Sequence, residues 1–324
     1  MNSFFLTNIP KDILFSIKTI DFDAPTKECK HEIDQLLQKT VLLGGKRLRP
    51  LLTLLVGKLF DIDIDQLRDH AKSIEFIHAA SLAHDDVVDK AEMRRGKPSI
   101  NNIAGNKKAV LAGDYLLSNV IVTLSEKGNL DVLKKTATVI SLLAEGEWIQ
   151  HEATVTKKYT KEIITKIALN KTASVMSWCC VTPAMLAGVD NVVLGWCDLF
   201  GEKLGIAFQQ IDNTLDFSDN KQKDYLLDLD NGIANSVLFY WMESNPDLKN
   251  DFQQNSIDNL ENYPGLSEAI LKVKTESEQL LLECHSILDM ICDYLIEHNF
   301  DNKNVNKSKK ALKSIVDFIG ARSF

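Results

Sequence analysis

From Ser73 to Ala83 the chain is apolar at helical spacing, with Ile74, Ile77, Ala80 and Ser81 on or near one face and no proline or glycine between them. A buried helix is predicted there. Its C-terminal end carries three aspartates, Asp85, Asp86 and Asp89, and the pair Arg94-Arg95 follows within a few residues. Asp85 and Asp89 stand four apart, so a helix projects them from one face, where such like-charged pairs cost about 0.2–0.5 kcal/mol. Aspartate is also a poor interior helix former. A cluster of this kind is either a solvated helix end, a cap for the next element, or a set of carboxylates offset by a hard divalent cation. Carboxylate oxygens that share an ion with water and phosphate suit Mg²⁺.

A second acidic cluster favours the cation. The run GIAFQQIDNTLD, Gly205 to Asp216, places Asp212 and Asp216 four apart at the end of another apolar helical stretch. Two such faces meeting across a cavity would hold a diphosphate through several metal ions. With these residues in place the chain resembles the trans-isoprenyl diphosphate synthases, the polyprenyl synthetase family. The resemblance is carried by GGKRLRP at Gly44 to Pro50, EFIHAASLAHDDVVD at Glu75 to Asp89, RRGKPS at Arg94 to Ser99, GNKKAVLAGDYLL at Gly105 to Leu117, KTAS at Lys171 to Ser174, and GIAFQQIDNTLD. These stretches run in family order over rather more than half of the chain, and together they are far more specific than either acidic motif alone.

Composition agrees with a globular chain. Of 324 residues, 45% are hydrophobic and 25% charged, enough for a sizeable core. Only 7 prolines and 15 glycines occur, and no linker rich in them divides the chain, so residues 1–324 are expected to form one large, mainly helical domain. A formal net charge of -8 argues against nucleic acid as a partner. The six cysteines, Cys29, Cys179, Cys180, Cys197, Cys284 and Cys292, have neither C-x-x-C spacing nor a secretory context and read as free thiols. The start MNSFFLTNIPKD lacks the pattern of a signal peptide, and no run reaches the roughly 18 apolar residues of a transmembrane helix. Cytoplasmic residence is expected, with loose membrane contact through a very apolar product.

Further helices are predicted over Pro25 to Leu43, ending at Gly44-Gly45; over the apolar run Leu51 to Leu59; from Gly113; over Ile140 to Trp148, with Trp148 in the core; over Lys161 to Val175; and over Leu266 to Leu295 and Lys309 to Ile319. Pro264-Gly265 reads as a turn. On residues alone, Lys46, Arg47 and Arg49 read first as a solvated corner and Lys171 as a lysine reaching outward, while His78 reads equally as a core histidine or a site residue.

The resemblance implies more. The fold would be an all-α helical bundle around a central cavity, usually dimeric, with itself or with another chain. Lys46, Arg49, His78 and Arg95 would hold the diphosphate of isopentenyl diphosphate. Arg94, Lys171, Thr172, Gln209 and Lys223 would hold the allylic diphosphate. Asp85, Asp86, Asp89, Asp212 and Asp216 would hold Mg²⁺, three ions per site. Arginine suits such work because its planar fork pairs with phosphate oxygens and keeps its charge. The reaction implied is ionisation of the allylic diphosphate, attack by the isopentenyl double bond and loss of a proton, with no protein nucleophile.

Product length should depend on what the tail meets along the first acidic helix. Ala80 and Ser81 lie about one turn, 5.4 Å, below the metal site. Both are small, whereas short-chain relatives carry large aromatics thereabouts. A long-chain type with a product beyond four isoprene units is expected, with the floor deeper, at Ile74, Ile77 or on neighbouring helices. The pattern also departs from the family. Asn213 replaces the usual middle aspartate, the glycines of the segment after Asp216 are lost around Lys223 and Leu226, and Ile233 replaces a second lysine. A weakly active or non-catalytic subunit of a heteromeric synthase is therefore the alternative. A terpene cyclase fits less well, since its second metal motif has a different pattern and it lacks the paired isopentenyl-site cations.

Overall fold

The computed structural model describes residues 7–22, 30–217, 229, 232–257 and 259–321. Within them the chain is all-α apart from one two-stranded hairpin. The helices are α1 (Lys11–Thr19), α2 (Lys30–Lys39), α3 (Leu48–Leu59), α4 (Ile64–Val88), α5 (Ile100–Ala104), α6 (Asn106–Glu126), α7 (Leu130–Thr156), α8 (Lys161–Ala168), α9 (Ser174–Ala187), α10 (Asn191–Leu215), α11 (Ser236–Ser244), α12 (Pro246–Gln254), α13 (Leu266–Glu297) and α14 (Asn302–Gly320).

The long helices begin where the sequence supplies a cap. Asp63, Asn129 and Asp190 each accept hydrogen bonds from backbone N–H groups at the starts of α4, α7 and α10, satisfying donors that have no partner inside the helix. The nearly all-apolar α9 lies at the centre, packed on α10, α3 and α7, while α10 packs on α13 and α4 on α6 and α3. Close approach depends on glycine. A Cβ on Gly201 would fall 2.4 Å from Ser177 Cα, and one on Gly205 2.4 Å from Ala173 Cα, so α10 lies almost directly on the backbone of α9 and of the turn before it. A second apolar cluster, around Trp241, Val237, Phe252 and Val273, joins α11, α12 and the start of α13.

Several sequence expectations shift. The helix expected from Pro25 is described from Lys30 to Lys39, and Pro25 and Cys29 lie outside the described residues. It stops before Gly44-Gly45, where Thr40 Oγ1 donates back to Leu36 O at 2.6 Å and Leu42 N bonds Leu37 O at 2.9 Å, closing a tight turn. Gly113 lies in the middle of α6 rather than at its start, where the lack of a side chain admits His84. The helix expected over Lys161 to Val175 is divided by a π-helical turn, Leu169–Ala173. Trp148 is not core: it is 70% exposed on the outer side of α7, with its Nε1 donating to Glu152 Oε1 at 3.0 Å. A helix of this length keeps an outer face, and Trp148 falls on it along with Val155, itself 69% exposed. The two C-terminal helices and the turn at Gly265 (φ +100°) agree with the sequence reading.

Candidate active site

A cavity of about 970 Å³ opens between α3, α4, α8 with the π-helical turn, and the C-terminal end of α10, closed on one side by residues 233–236 and on another by Phe318. It gathers residues far apart in sequence. Asp85 comes from the last turn of α4, Asp212 and Asp216 from the end of α10, and Lys171 and Thr172 from the π-helical turn. Lys46, Arg49, His78, Ser81, Arg94, Arg95 and Gln209 complete the set of sequence-predicted residues on its wall.

The π-helical turn explains how adjacent residues serve one site. Consecutive side chains of an α-helix diverge by about 100°, and an extra backbone residue re-aims them. Lys171 Nζ meets the carboxylate of Glu147 and donates to Gln150 Oε1 at 3.1 Å, while Thr172 Oγ1 donates to Gln209 Oε1 at 2.7 Å. Gln209 Nε2 donates to Asn213 Oδ1 at 3.0 Å, and Asn213 Nδ2 to Ser236 Oγ at 2.9 Å. Asn213, in place of the expected aspartate, is thus the middle of an internal amide and hydroxyl chain.

The basic side is built from a loop and a hairpin. Gly44 and Gly45, both at positive φ, lead into Arg47, which caps α3 from a left-handed conformation and pairs with Glu75. Arg47 is therefore engaged in structure, whereas Arg49 keeps its Nε away from solvent with no hydrogen-bond partner among the described residues, a donor suited to an anion. Burial lowers the Arg49 pKa, with Glu75 opposing it. Lys46 Nζ lies 5.5 Å from the centroid of the Phe318 ring. Strands Met93–Arg94 and Lys97–Pro98 join through Arg95 and Gly96 at φ +54° and +74°, a two-residue turn of the kind with both central residues left-handed. Arg95 Nη1 then donates to Leu43 O at 2.9 Å. His78 faces this group: burial, then Arg49, Arg95, Arg94 and Arg47, hold its pKa well below the usual imidazole value, so the ring is neutral.

Not every expected residue reaches the cavity. Asp86 is 0% exposed and bonds Arg94 Nε at 2.6 Å, so it holds that guanidinium in place and faces away from the shared space. Asp89 caps α4 at an exposed position and does not line the cavity. Ala80 and Ile77 are fully buried in the core, while Ser81, whose Oγ donates to His78 O at 2.9 Å, is on the wall. Lys223 and Leu226 lie outside the described residues. The sequence reading did not assign Glu147 or Gln150. The Glu145-Gly146-Glu147 run was the available signal, but its tie to Lys171 depends on Gly146, where a Cβ would fall 2.8 Å from Lys171 Cγ.

Asp85 carries the chemistry most plainly. Burial pushes its pKa up to about 7; Lys171 opposes the shift, and Glu147 and Asp89 add to it. Asp89 is raised as well, first by desolvation and then by Glu147. These acids lack positive charge in proportion to their desolvation, and their all-oxygen donor set fits a hard cation. Among the described residues no three His, Cys, Asp or Glu side chains converge into a ready-made cage. That suits an ion held by one or two carboxylates and completed by water and phosphate oxygens.

Fold and site together define a helical bundle with two acid-tipped helices bordering a cationic cavity. The sequence profile described as polyprenyl synthetase matches residues 30–271. Solanesyl diphosphate synthase 3, chloroplastic/mitochondrial, of Arabidopsis thaliana is 33% identical over 270 residues, covering 80% of this chain and 63% of that protein. Solanesyl-diphosphate synthase 1, mitochondrial, of Oryza sativa subsp. japonica is 32% identical over 305 residues, covering 86% of this chain and 69% of that one. Among solved structures, a polyprenyl synthase from Caulobacter crescentus CB15, complexed with calcium and isoprenyl diphosphate, superposes with a TM-score of 0.79 at 26% identity over 98% of this chain and 97% of that one. The chain belongs to the polyprenyl synthetase family.

The Asp85 shift has a sign that can be tested. An ordinary aspartate loses its proton near 3.8, whereas folded Asp85 loses it near 7. Between those values the folded state binds more protons, so its stability falls as pH rises and the full cost is present above about pH 7. In metal-free protein, thermal unfolding of Asp85→Asn should gain on the parent progressively from about pH 4 to 7 and hold a constant lead above it. A difference in melting temperature that does not change with pH would contradict the assignment.

Proposed function

We propose that this chain is a trans-prenyltransferase that condenses isopentenyl diphosphate with an allylic diphosphate in successive additions. The observation that supports this best is the shared cavity: Asp85 and Asp212, from different helices, border it together with Lys46, Arg49, Arg94 and Lys171. In this reading Asp85, Asp212 and Asp216 on the cavity wall would hold Mg²⁺, three ions per site, joined by Asp89 from beside the cavity, where Glu147 and Lys171 act on it, and the metal would supply positive charge against the departing diphosphate. Lys171, Thr172, Gln209, Arg94 and Lys223 bind the allylic diphosphate. Lys46, Arg49, Arg95 and neutral His78 bind the isopentenyl one, which keeps its double bond turned toward the allylic carbon. Asp86 serves by fixing Arg94 and contributes no metal ligand. The calcium and isoprenyl diphosphate named for the Caulobacter protein are in keeping with this arrangement.

The product is proposed to exceed four isoprene units, in keeping with Ser81 as the small residue on the wall and with the solanesyl products named for the plant relatives. Residues 1–324 act as one domain. Among the described residues no helix is long and apolar enough to cross a membrane, and the five described cysteines are free and buried, as suits a reducing compartment; the cytoplasm is proposed. Exposed apolar side chains collect on α6 and α7, including Leu111 (54%), Val122 (54%) and Trp148 (70%). This face is proposed to join a second copy of the chain. A partner subunit of different sequence is the second reading, favoured by Ile233 on the cavity wall and by the neutral Asn213.

Purified protein given labelled isopentenyl diphosphate, an allylic primer and Mg²⁺ should incorporate label, and Asp85→Asn or Asp212→Asn should lower the rate by about 10²–10³-fold. Incorporation only after a second subunit is added would favour the partner reading. Sedimentation should show a dimer, shifted toward monomer by Trp148→Glu; an unchanged mass would remove this face from the interface.

A further inference from the structure

Behind the hairpin that carries Arg94 and Arg95 lies a second cavity, of about 310 Å³. Its other walls come from the C-terminal end of α2, through Lys39, and from the loop before α3, through Gly44 and Gly45. It touches the larger cavity at Gly45, Arg94 and Arg95, but Lys46, Arg49 and His78 have no part in its lining. Arg95, with Nη1 donating to Leu43 O at 2.9 Å, stands on the boundary between the two. Lys39 and Lys97 belong to the smaller cavity alone.

The charge on this wall is unbalanced. Lys39, Lys97, Arg94 and Arg95 bring four cations against one carboxylate, Asp86. Asp86 is 0% exposed, and both of its bonds from Arg94, from Nε and from Nη2 at 2.6 Å each, end on Oδ1. Oδ2 is buried as well and has no hydrogen-bond partner among the described residues. A buried carboxylate oxygen in that state calls for a donor. The surplus of cations calls for an anion. One class of ligand meets both demands, an oxyanion that still carries an acidic proton. Near neutral pH phosphate keeps a P–O–H, whereas sulfate, of the same tetrahedral shape, has no proton to give.

We propose that this cavity binds inorganic phosphate, with its charged oxygens against Lys39, Lys97 and Arg95 and its P–O–H donating to Asp86 Oδ2. Sulfate is refused because its oxygens would meet the carboxylate oxygen with no hydrogen between them. Arg94 and Arg95 border both cavities, so phosphate in the smaller one draws on charge that the larger one offers to its own anion. Each anion then weakens the other by the same factor. The site requires no turnover and stands independently of the prenyltransferase reading.

Equilibrium dialysis of the full chain against labelled phosphate or labelled sulfate, at neutral pH with divalent metal chelated, tests this. Lys39 and Lys97 are exposed, so replacing both with alanine leaves the core untouched. The parent should hold one phosphate per chain that Lys39→Ala/Lys97→Ala binds at least about tenfold more weakly, while sulfate uptake is the same in both proteins. Asp86→Asn should admit sulfate, since an amide N–H can donate to it; if that variant fails to fold, the lysine pair still decides. With phosphate present, pyrophosphate and Mg²⁺ should bind the parent more weakly than the lysine variant. Phosphate uptake unchanged by the lysine substitutions, or sulfate lost along with phosphate, overturns the proposal. A chain that shows the phosphate site but incorporates no isopentenyl label refutes the prenyltransferase reading and supports the site.

Discussion

A half-buried carboxylate at the tip of an apolar helix is unfavourable unless positive charge reaches it, and Asp85, desolvated on the cavity wall, is such a carboxylate. The cations that act on Asp85 are already engaged: Lys171 pairs with Glu147 and bonds Gln150, and Arg94 is held by Asp86. What balances Asp85 must therefore come with the ligand. In the function proposed above, a metal-bound diphosphate would supply both signs at once, cation to the acids and anion to Lys171, Arg49 and Arg94. The helical framework positions these groups: glycine contacts set α10 against α9, and the N-caps fix where α4 and α10 begin.

The same principle makes sense of Asn213. A third aspartate at that position would add negative charge beside Asp212 and Asp216, where the expected lysine is Ile233. With a neutral amide instead, Thr172, Gln209, Asn213 and Ser236 form a hydrogen-bonded chain from the π-helical turn through α10 to the start of α11. One acid and one base have gone together. The amide ties the two walls of the cavity by geometry where charge is missing, and Asn235 Nδ2, 3.4 Å from Asp216 Oδ2, extends the tie to the remaining acid.

Much of this was legible in the sequence because it follows from spacing. Acids four apart after an apolar run fix a face, and Gly44-Gly45 before three cations fixes a loop. Less legible was anything that depends on which side of a helix meets another helix. Asp86 sits between two acids of the motif yet turns inward to Arg94, and Trp148 looks like core but lies on the outer face of α7. The π-helical turn at Leu169–Ala173 has no local signal, so Glu147 could not be paired with Lys171 from the chain alone. Lys223, the last residue tied to the site by resemblance, lies outside the described residues.

The central claim is that the two acid-tipped helices bind diphosphate through metal and not by themselves. Calorimetric titration of inorganic pyrophosphate into the protein, first with Mg²⁺ and then with the metal chelated, measures this directly. Binding should be at least about tenfold tighter with metal, a difference of about 1.4 kcal/mol, and the gain should vanish when Asp85 and Asp212 are both changed to asparagine. Equal affinity with and without Mg²⁺ would mean that Lys46, Arg49 and Lys171 hold the anion unaided, and the account would be wrong at its base.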